Sequence, residues 1–227
     1  MKKIWHFSDT HTFHKLLTVP ENIDIAIFSG DCSNPLDLEI SRQQILEFLD
    51  WFSLILVGWK IFVPGNHDTA IAKGWITKKD FEDRGIIYLE NDYVTINNMK
   101  IFGSPYTPTF GNWSFMKARD KMDKLWSKVD DDVDVFVVHG PPKGILDLSY
   151  DRNHKLENCG CNALKRHVLH RIKPKFCLFG HIHNVDDIIN AGVLKLSDYP
   201  TVFSNGSVVT DGKFGKLSSN GNILIYE

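Results

Sequence analysis

No stretch of this sequence holds enough consecutive apolar residues to span a bilayer, and Met1–Phe7 is too short for the apolar core of a secretion signal. The expected compartment is the cytoplasm, with no membrane partner. A strong charge of one sign is lacking too. Lys and Arg number 26 against 28 Asp and Glu, a formal net charge of −2, so stable nucleic-acid binding has no broad electrostatic footprint. Cysteine is scarce and scattered: Cys32, Cys159, Cys161 and Cys177. A disulfide framework is not expected in a chain of 227 residues. Cys159-Gly160-Cys161, with His154, His167 and His170 nearby, matches no standard zinc spacing. Repeats, low-complexity tracts and linkers are missing, and one domain over 1–227 is expected.

What is present is an ordinary globular balance, 43% hydrophobic and 24% charged, with a recurring local pattern. Ile4–Phe7 reads as a strand and delivers Ser8-Asp9-Thr10-His11. Asp24–Phe28 delivers Ser29-Gly30-Asp31, and Ile61–Val63, stopped by Pro64-Gly65, delivers Asn66-His67-Asp68. Val133–Val138 leads to His139-Gly140-Pro141-Pro142, and Phe176–Phe179 leads to Gly180-His181-Ile182-His183. Between these, Leu38–Phe52 carries Ile45, Leu46, Leu49 and Phe52 on one helical face. Helices are also predicted over Phe115–Trp126 and Asn162–Ile172. Tyr93–Ile96 and Lys100–Phe102 flank a hairpin turn at Asn97-Asn98-Met99, and Thr201–Phe203, Val208-Val209 and Ile223–Tyr226 read as short strands.

An apolar strand followed by a tight turn and then Asp, His or Asn occurs five times. In α/β sheets ligands bind at that strand end. Asp9, His11, Asp31, Asn66, His139, His181 and His183 supply seven oxygen or nitrogen donors and no thiolate, which favours Mn²⁺, with Fe or Zn²⁺ as alternatives, over structural zinc. Seven donors exceed what one catalytic metal with an open position takes. They suit two metals about 3.5–4 Å apart sharing a carboxylate.

The ordered set Asp9-x-His11, Gly30-Asp31, Gly65-Asn66-His67-Asp68, His139-Gly140 and Gly180-His181-Ile182-His183 resembles the calcineurin-like metallophosphoesterase superfamily. Asn205-Gly206-Ser207 resembles the small-residue turn after its last motif. The resemblance implies an α/β fold, a four-layer αββα sandwich of two mixed β-sheets flanked by helices. It assigns Asp9, His11, Asp31 and His183 to one metal and Asp31, Asn66, His139 and His181 to the other, with Asp31 bridging. His67 sits beside the metals as the catalytic proton donor. Two divalent cations lower the pKa of a shared water, and hydroxide then attacks phosphorus in line. Asp68 either orients His67 or caps a helical turn at Thr69–Lys73. His14 is a candidate contact to a substrate phosphate.

Asp31 is followed by Cys32-Ser33-Asn34-Pro35, not the Val-Asp-Arg-Gly of the superfamily's protein phosphatases. Gly103-Ser104-Pro105-Tyr106-Thr107-Pro108, Phe110-Gly111-Asn112-Trp113, Gly160-Cys161 and Lys173-Pro174-Lys175 resemble the small branch of metallophosphoesterase-domain-containing proteins. That resemblance implies a phosphodiesterase for a small nucleotide or cyclic-nucleotide diester. A phosphomonoesterase, a nuclease and a non-catalytic binding module are the alternatives. Tyr106, Phe110, Trp113 and Phe115 either pack their loop or stack a nucleobase, with Trp113 the candidate substrate-binding residue. His6 is expected to be packed or at the surface.

Overall fold

The computed structural model describes residues 1–34, 37–151, 153–212 and 215–227; of the tetrapeptide after Asp31, Pro35 lies outside them. The strands begin with β1 Lys2–Phe7, β2 Ile25–Phe28, β3 Trp59–Phe62, β4 Ile87–Tyr88, β5 Asp92–Ile96, β6 Met99–Ser104, β7 Thr107–Pro108 and β8 Met116–Lys117. They continue with β9 Val135–Val138, β10 Leu148–Tyr150, β11 Leu156–Asn158, β12 Phe176–Phe179, β13 Gly192–Lys195, β14 Val202–Asn205 and β15 Asn222–Tyr226. Two large sheets result. One has the order β15-β1-β2-β3-β4, parallel except for β15. The other has the order β13-β14-β12-β9-β6-β5, parallel except for its outer strands β13 and β5.

The central strands are near-continuous apolar runs because both their faces are buried. Alternate residues divide between cores. Ile4, Ile25, Ile27 and Ile61 meet Ile101, Val135, Val137 and Leu178 between the sheets. Trp5, Phe7, Phe28 and Phe62 point the other way, onto Ile45, Phe48, Leu49 and Phe52 of α1, Leu38–Ser53. On the far side of the second sheet, Phe136, Val138, Cys177 and Phe179 pack against Met122, Trp126, Leu164 and Val168. The four-layer αββα sandwich follows from that alternation.

Capping and turns agree with local chemistry. Asp37 Oδ1 accepts the N–H groups of Glu39 and Ile40 at the start of α1, at 2.8 and 3.1 Å. Asn97 and Asn98, at φ +49° and +63°, close the β5–β6 hairpin. The helix expected over Phe115–Trp126 is corrected: after the short α2 (Thr69–Ala72) and α3 (Lys78–Glu82), α4 covers only Met122–Trp126. Phe115 has φ +50°, and its side chain belongs to the first core whereas Met122 and Trp126 belong to the second. One straight helix cannot serve both. Asn162–His167 (α5) continues into a π-helical turn, Val168–Ile172, which completes the expected helix. Val208-Val209 forms no strand; Val209 makes one isolated bridge to Leu217. Among the described residues no helix is long and apolar enough to cross a membrane.

His6 faces inward and ties the sheets together. Its ring nitrogens lie 2.7 Å from Ser204 Oγ and 2.9 Å from Ser29 Oγ. Burial lowers its pKa to about 3 against the pull of Asp9, so the imidazole is neutral.

Candidate metal centre

The C-terminal ends of β1, β2, β3, β9 and β12 open on a common rim. There the chain adopts conformations that L-residues seldom take: Asp9, His11, Asp31 and His181 have φ of +53°, +40°, +64° and +70°. Each such residue costs about 1–3 kcal/mol, and their concentration here turns side chains inward at the moment each strand ends. Close approach does the rest. A Cβ on Gly65 would run into the Asp31 carboxylate, and one on Gly180 into the Asp9 carboxylate.

The rim gathers the seven expected donors into two adjoining groups. Asp9, His11 and His183 form one, and Asp31, His139 and His181 the other, each with ligand atoms mutually within 4.8 Å. His183 Nε2 lies 3.3 Å from Asp9 Oδ1, and the Asp9 carboxylate also accepts the His181 backbone N–H at 2.9 and 3.0 Å. Asn66 joins the second group through its Oδ1, 2.9 Å from His139 Nε2.

Donor chemistry here fits divalent cations. His139 Nδ1 donates to the Ser29 carbonyl at 2.9 Å, which leaves a lone pair on Nε2 of the neutral ring. That lone pair faces Asp31 Oδ2 at 3.2 Å and Asn66 Oδ1 at 2.9 Å. Three acceptors converge, and only a proton or a cation reconciles them. Burial opposes charge on His139, but the Asp31 carboxylate outweighs it and holds the pKa up at about 9. His11 and His181 are held neutral by burial, their pKa values lowered to about 4 and 3, which is the form that ligates. His11 Nε2 is buried without a partner among the described residues. Burial works against ionised Asp31, yet His139, by charge and hydrogen bond, keeps its pKa well below the carboxylate range. Cys32 is no ligand. Burial and Asp68 keep it a thiol, and its Sγ donates to Asp68 Oδ1 at 3.2 Å.

His67 stands beside both groups. Its ring meets His11 edge-on at 4.8 Å and lies on the Trp113 indole at 4.6 Å with 20° between planes. Two expectations are corrected here. Asp68 neither orients His67 nor caps α2. Its carboxylate is taken up by backbone N–H groups of Asp31, Cys32, Ser33 and Gly65, while His67 Nδ1 has no partner among the described residues. His14 does not reach the rim. It is 2% exposed, wedged against Phe48 and Trp51 of α1, because the 3₁₀ turn Phe13–Leu16 folds it under that helix. Trp113 does line the site, but one indole face is already occupied by His67.

Two clefts flank the paired groups. A wider one of about 860 Å³ runs past Phe110, Trp113, Arg119, Lys143 and Tyr150. A second of about 580 Å³ runs past His11, Phe13, Asn34 and Thr210. His67, His183 and Asp211 line both. Arg119, Lys143, Tyr150 and Asp211 were not legible as site residues, since no local motif marks them and only the fold brings their loops to the rim.

The calcineurin-like phosphoesterase family profile matches residues 2–185. Metallophosphoesterase domain-containing protein 1 of Homo sapiens is 29% identical over 226 residues, covering 89% of this chain and 65% of that protein. A UPF0046 protein of Caenorhabditis elegans, K07C11.7, is 29% identical over 203 residues, covering 84% of this chain and 66% of its own length. The chain thus spans about two thirds of these relatives. The solved structure of phosphopantetheinyl hydrolase from Mycobacterium tuberculosis has the same fold, with a TM-score of 0.58 at 16% identity over 91% of this chain and 89% of that one.

Proposed function

Since this chain belongs to the calcineurin-like phosphoesterase family, we propose that it is a dinuclear-metal-dependent phosphodiesterase acting on a small nucleotide or cyclic-nucleotide diester. The meeting of two clefts at one cluster of histidines and carboxylates carries the diester reading. In a linear phosphodiester the two organic groups on phosphorus can take one cleft each, whereas in a cyclic nucleotide both ester oxygens belong to one ribose, which would span the junction of the clefts. A monoester would leave one cleft without a substituent. Aromatic side chains along the wider cleft, Phe110 and Tyr150, supply flat surfaces of the kind that bases stack on.

Asp9, His11, Asp31 and His183 would hold one cation, and Asp31, Asn66, His139 and His181 the other, a thiolate-free nitrogen and oxygen set that suits Mn²⁺, Fe or Zn²⁺. Bound there, divalent cations supply Lewis acidity, lowering the pKa of water and offsetting phosphoryl charge. The chain's own residues set the rest. Ser29 fixes the His139 tautomer through its carbonyl. The His67 backbone N–H donates to Asp31 Oδ1 at 2.7 Å, which ties the proton donor's position to the shared carboxylate. His67 then gives its proton to the departing alkoxide. Assay with Mn²⁺ on 2′,3′- and 3′,5′-cyclic nucleotides, an aryl phosphodiester and an aryl phosphomonoester tests this. Diesters should turn over faster than the monoester; preference for the monoester would reject the diester reading.

A further inference from the structure

A proton donor needs its ring held in one orientation, and among the described residues no hydrogen bond does this for His67. Nδ1 is buried and unpartnered, and the neighbouring carboxylate, Asp68, is occupied elsewhere. What fixes the ring is the Trp113 face on one side and the His11 edge on another. The loop that carries Trp113, a residue 40% exposed, is itself anchored. The Ser114 N–H donates to the Asn66 carbonyl at 3.2 Å, and Ser114 Oγ to Thr69 Oγ1 at 3.4 Å. Gly111 leaves the room that the indole edge fills, since a Cβ there would lie 3.1 Å from Trp113 Nε1. Phe115, at φ +50°, swings into the first core, and the Thr107 N–H donates to its carbonyl at 3.0 Å. The loop is thus pinned on both sides of Trp113.

From this geometry we infer that Trp113 is the positioning residue of His67, doing by ring stacking what a carboxylate was expected to do by hydrogen bonding. The inference rests on the reading of His67 as proton donor. Stacked aromatic rings at this separation attract by more than the area they bury, and a misplacement near 1 Å at a reacting group costs on the order of 100-fold in rate. The indole therefore acts on the leaving-group proton and not on substrate affinity.

Trp113→Ala, Trp113→Leu and Trp113→Phe test it. By NMR, the His67 ring protons of the wild-type protein should resonate upfield of an unstacked histidine. Trp113→Ala and Trp113→Leu should abolish that displacement, and Trp113→Phe should keep part of it. In kinetics with Mn²⁺, Trp113→Ala should lose about 10–100-fold in kcat on an alkyl diester and far less on a p-nitrophenyl diester. Metal content should stay at the wild-type level. Trp113→Phe should restore most of the loss, and in a His67→Ala background Trp113→Ala should add nothing. A raised KM for nucleotides alone, with kcat kept, would assign the indole to base stacking and overturn the inference. So would equal losses on both diesters, or an unshifted His67 ring. If the wild-type protein hydrolyses no phosphoester, the functional reading fails, while the NMR measurement still decides whether the stack orders His67.

Discussion

Asp68 Oδ2 accepts the backbone N–H of Asp31 at 2.9 Å, across 37 residues of sequence. The same carboxylate takes the N–H groups of Cys32, Ser33 and Gly65. It thereby welds the turn after β2 to the turn after β3 and holds Asp31 in its left-handed conformation. An acidic residue inside the Gly65-Asn66-His67-Asp68 motif is the anchor of the metal rim.

Asp68→Ala should leave four backbone N–H groups and the Cys32 thiol without their acceptor. A loss of at least about 3 kcal/mol in folding stability is expected, since hydrogen bonds to a charged group contribute about 1.5–3 kcal/mol each. Urea denaturation measures it. A change below about 1 kcal/mol would mean that water replaces the carboxylate.

Asp31→Asn should lower retention of both metals and nearly abolish turnover, because this carboxylate faces the second group and is proposed to bridge to the first. Inductively coupled plasma mass spectrometry reads the stoichiometry directly. Two equivalents retained by the purified variant would contradict the shared role.

His67→Ala should cost about 10²–10⁴-fold on an alkyl or nucleoside diester and much less on p-nitrophenyl esters, whose leaving group departs unprotonated. Its metal content should stay near wild type. His139→Ala should differ on each count, losing metal and activity on both substrates. If the two variants behave alike, His67 is a ligand and not a proton donor.

His14 gives a stability prediction away from the rim. Among the described residues neither ring nitrogen has a partner, and burial lowers its pKa to about 4 from 6.5. A histidine depressed in the folded state binds its proton first in the unfolded chain. Stability is therefore greatest above pH 6.5 and falls on acidification toward pH 4, by at most about 1.4 kcal/mol per pH unit from this group. His14→Phe should raise the melting temperature at neutral pH and flatten the decline between pH 6.5 and 4. A decline as steep as that of the wild-type protein would place the acid sensitivity in other histidines, His6 among them.

The strands, the five strand-turn-donor units and the Asn97-Asn98 hairpin were legible in the chain because each is a short-range property. Apolar runs with both faces buried need no distant residue to be recognised, and a glycine before a donor marks a sharp turn wherever it occurs. The identity of the seven donors that meet was legible for the same reason: parallel strands end on one rim. Where other side chains point was not. Asp68 and His67 are adjacent in sequence, yet one is sealed into a web of N–H donors and the other lies under an indole 46 residues further on. His14 looked available because it closely follows Asp9-x-His11, and α1 buries it. Phe115–Trp126 carries helical spacing but divides between two cores. In each case the deciding contact comes from an element far along the chain, and packing against it outweighs the local preference.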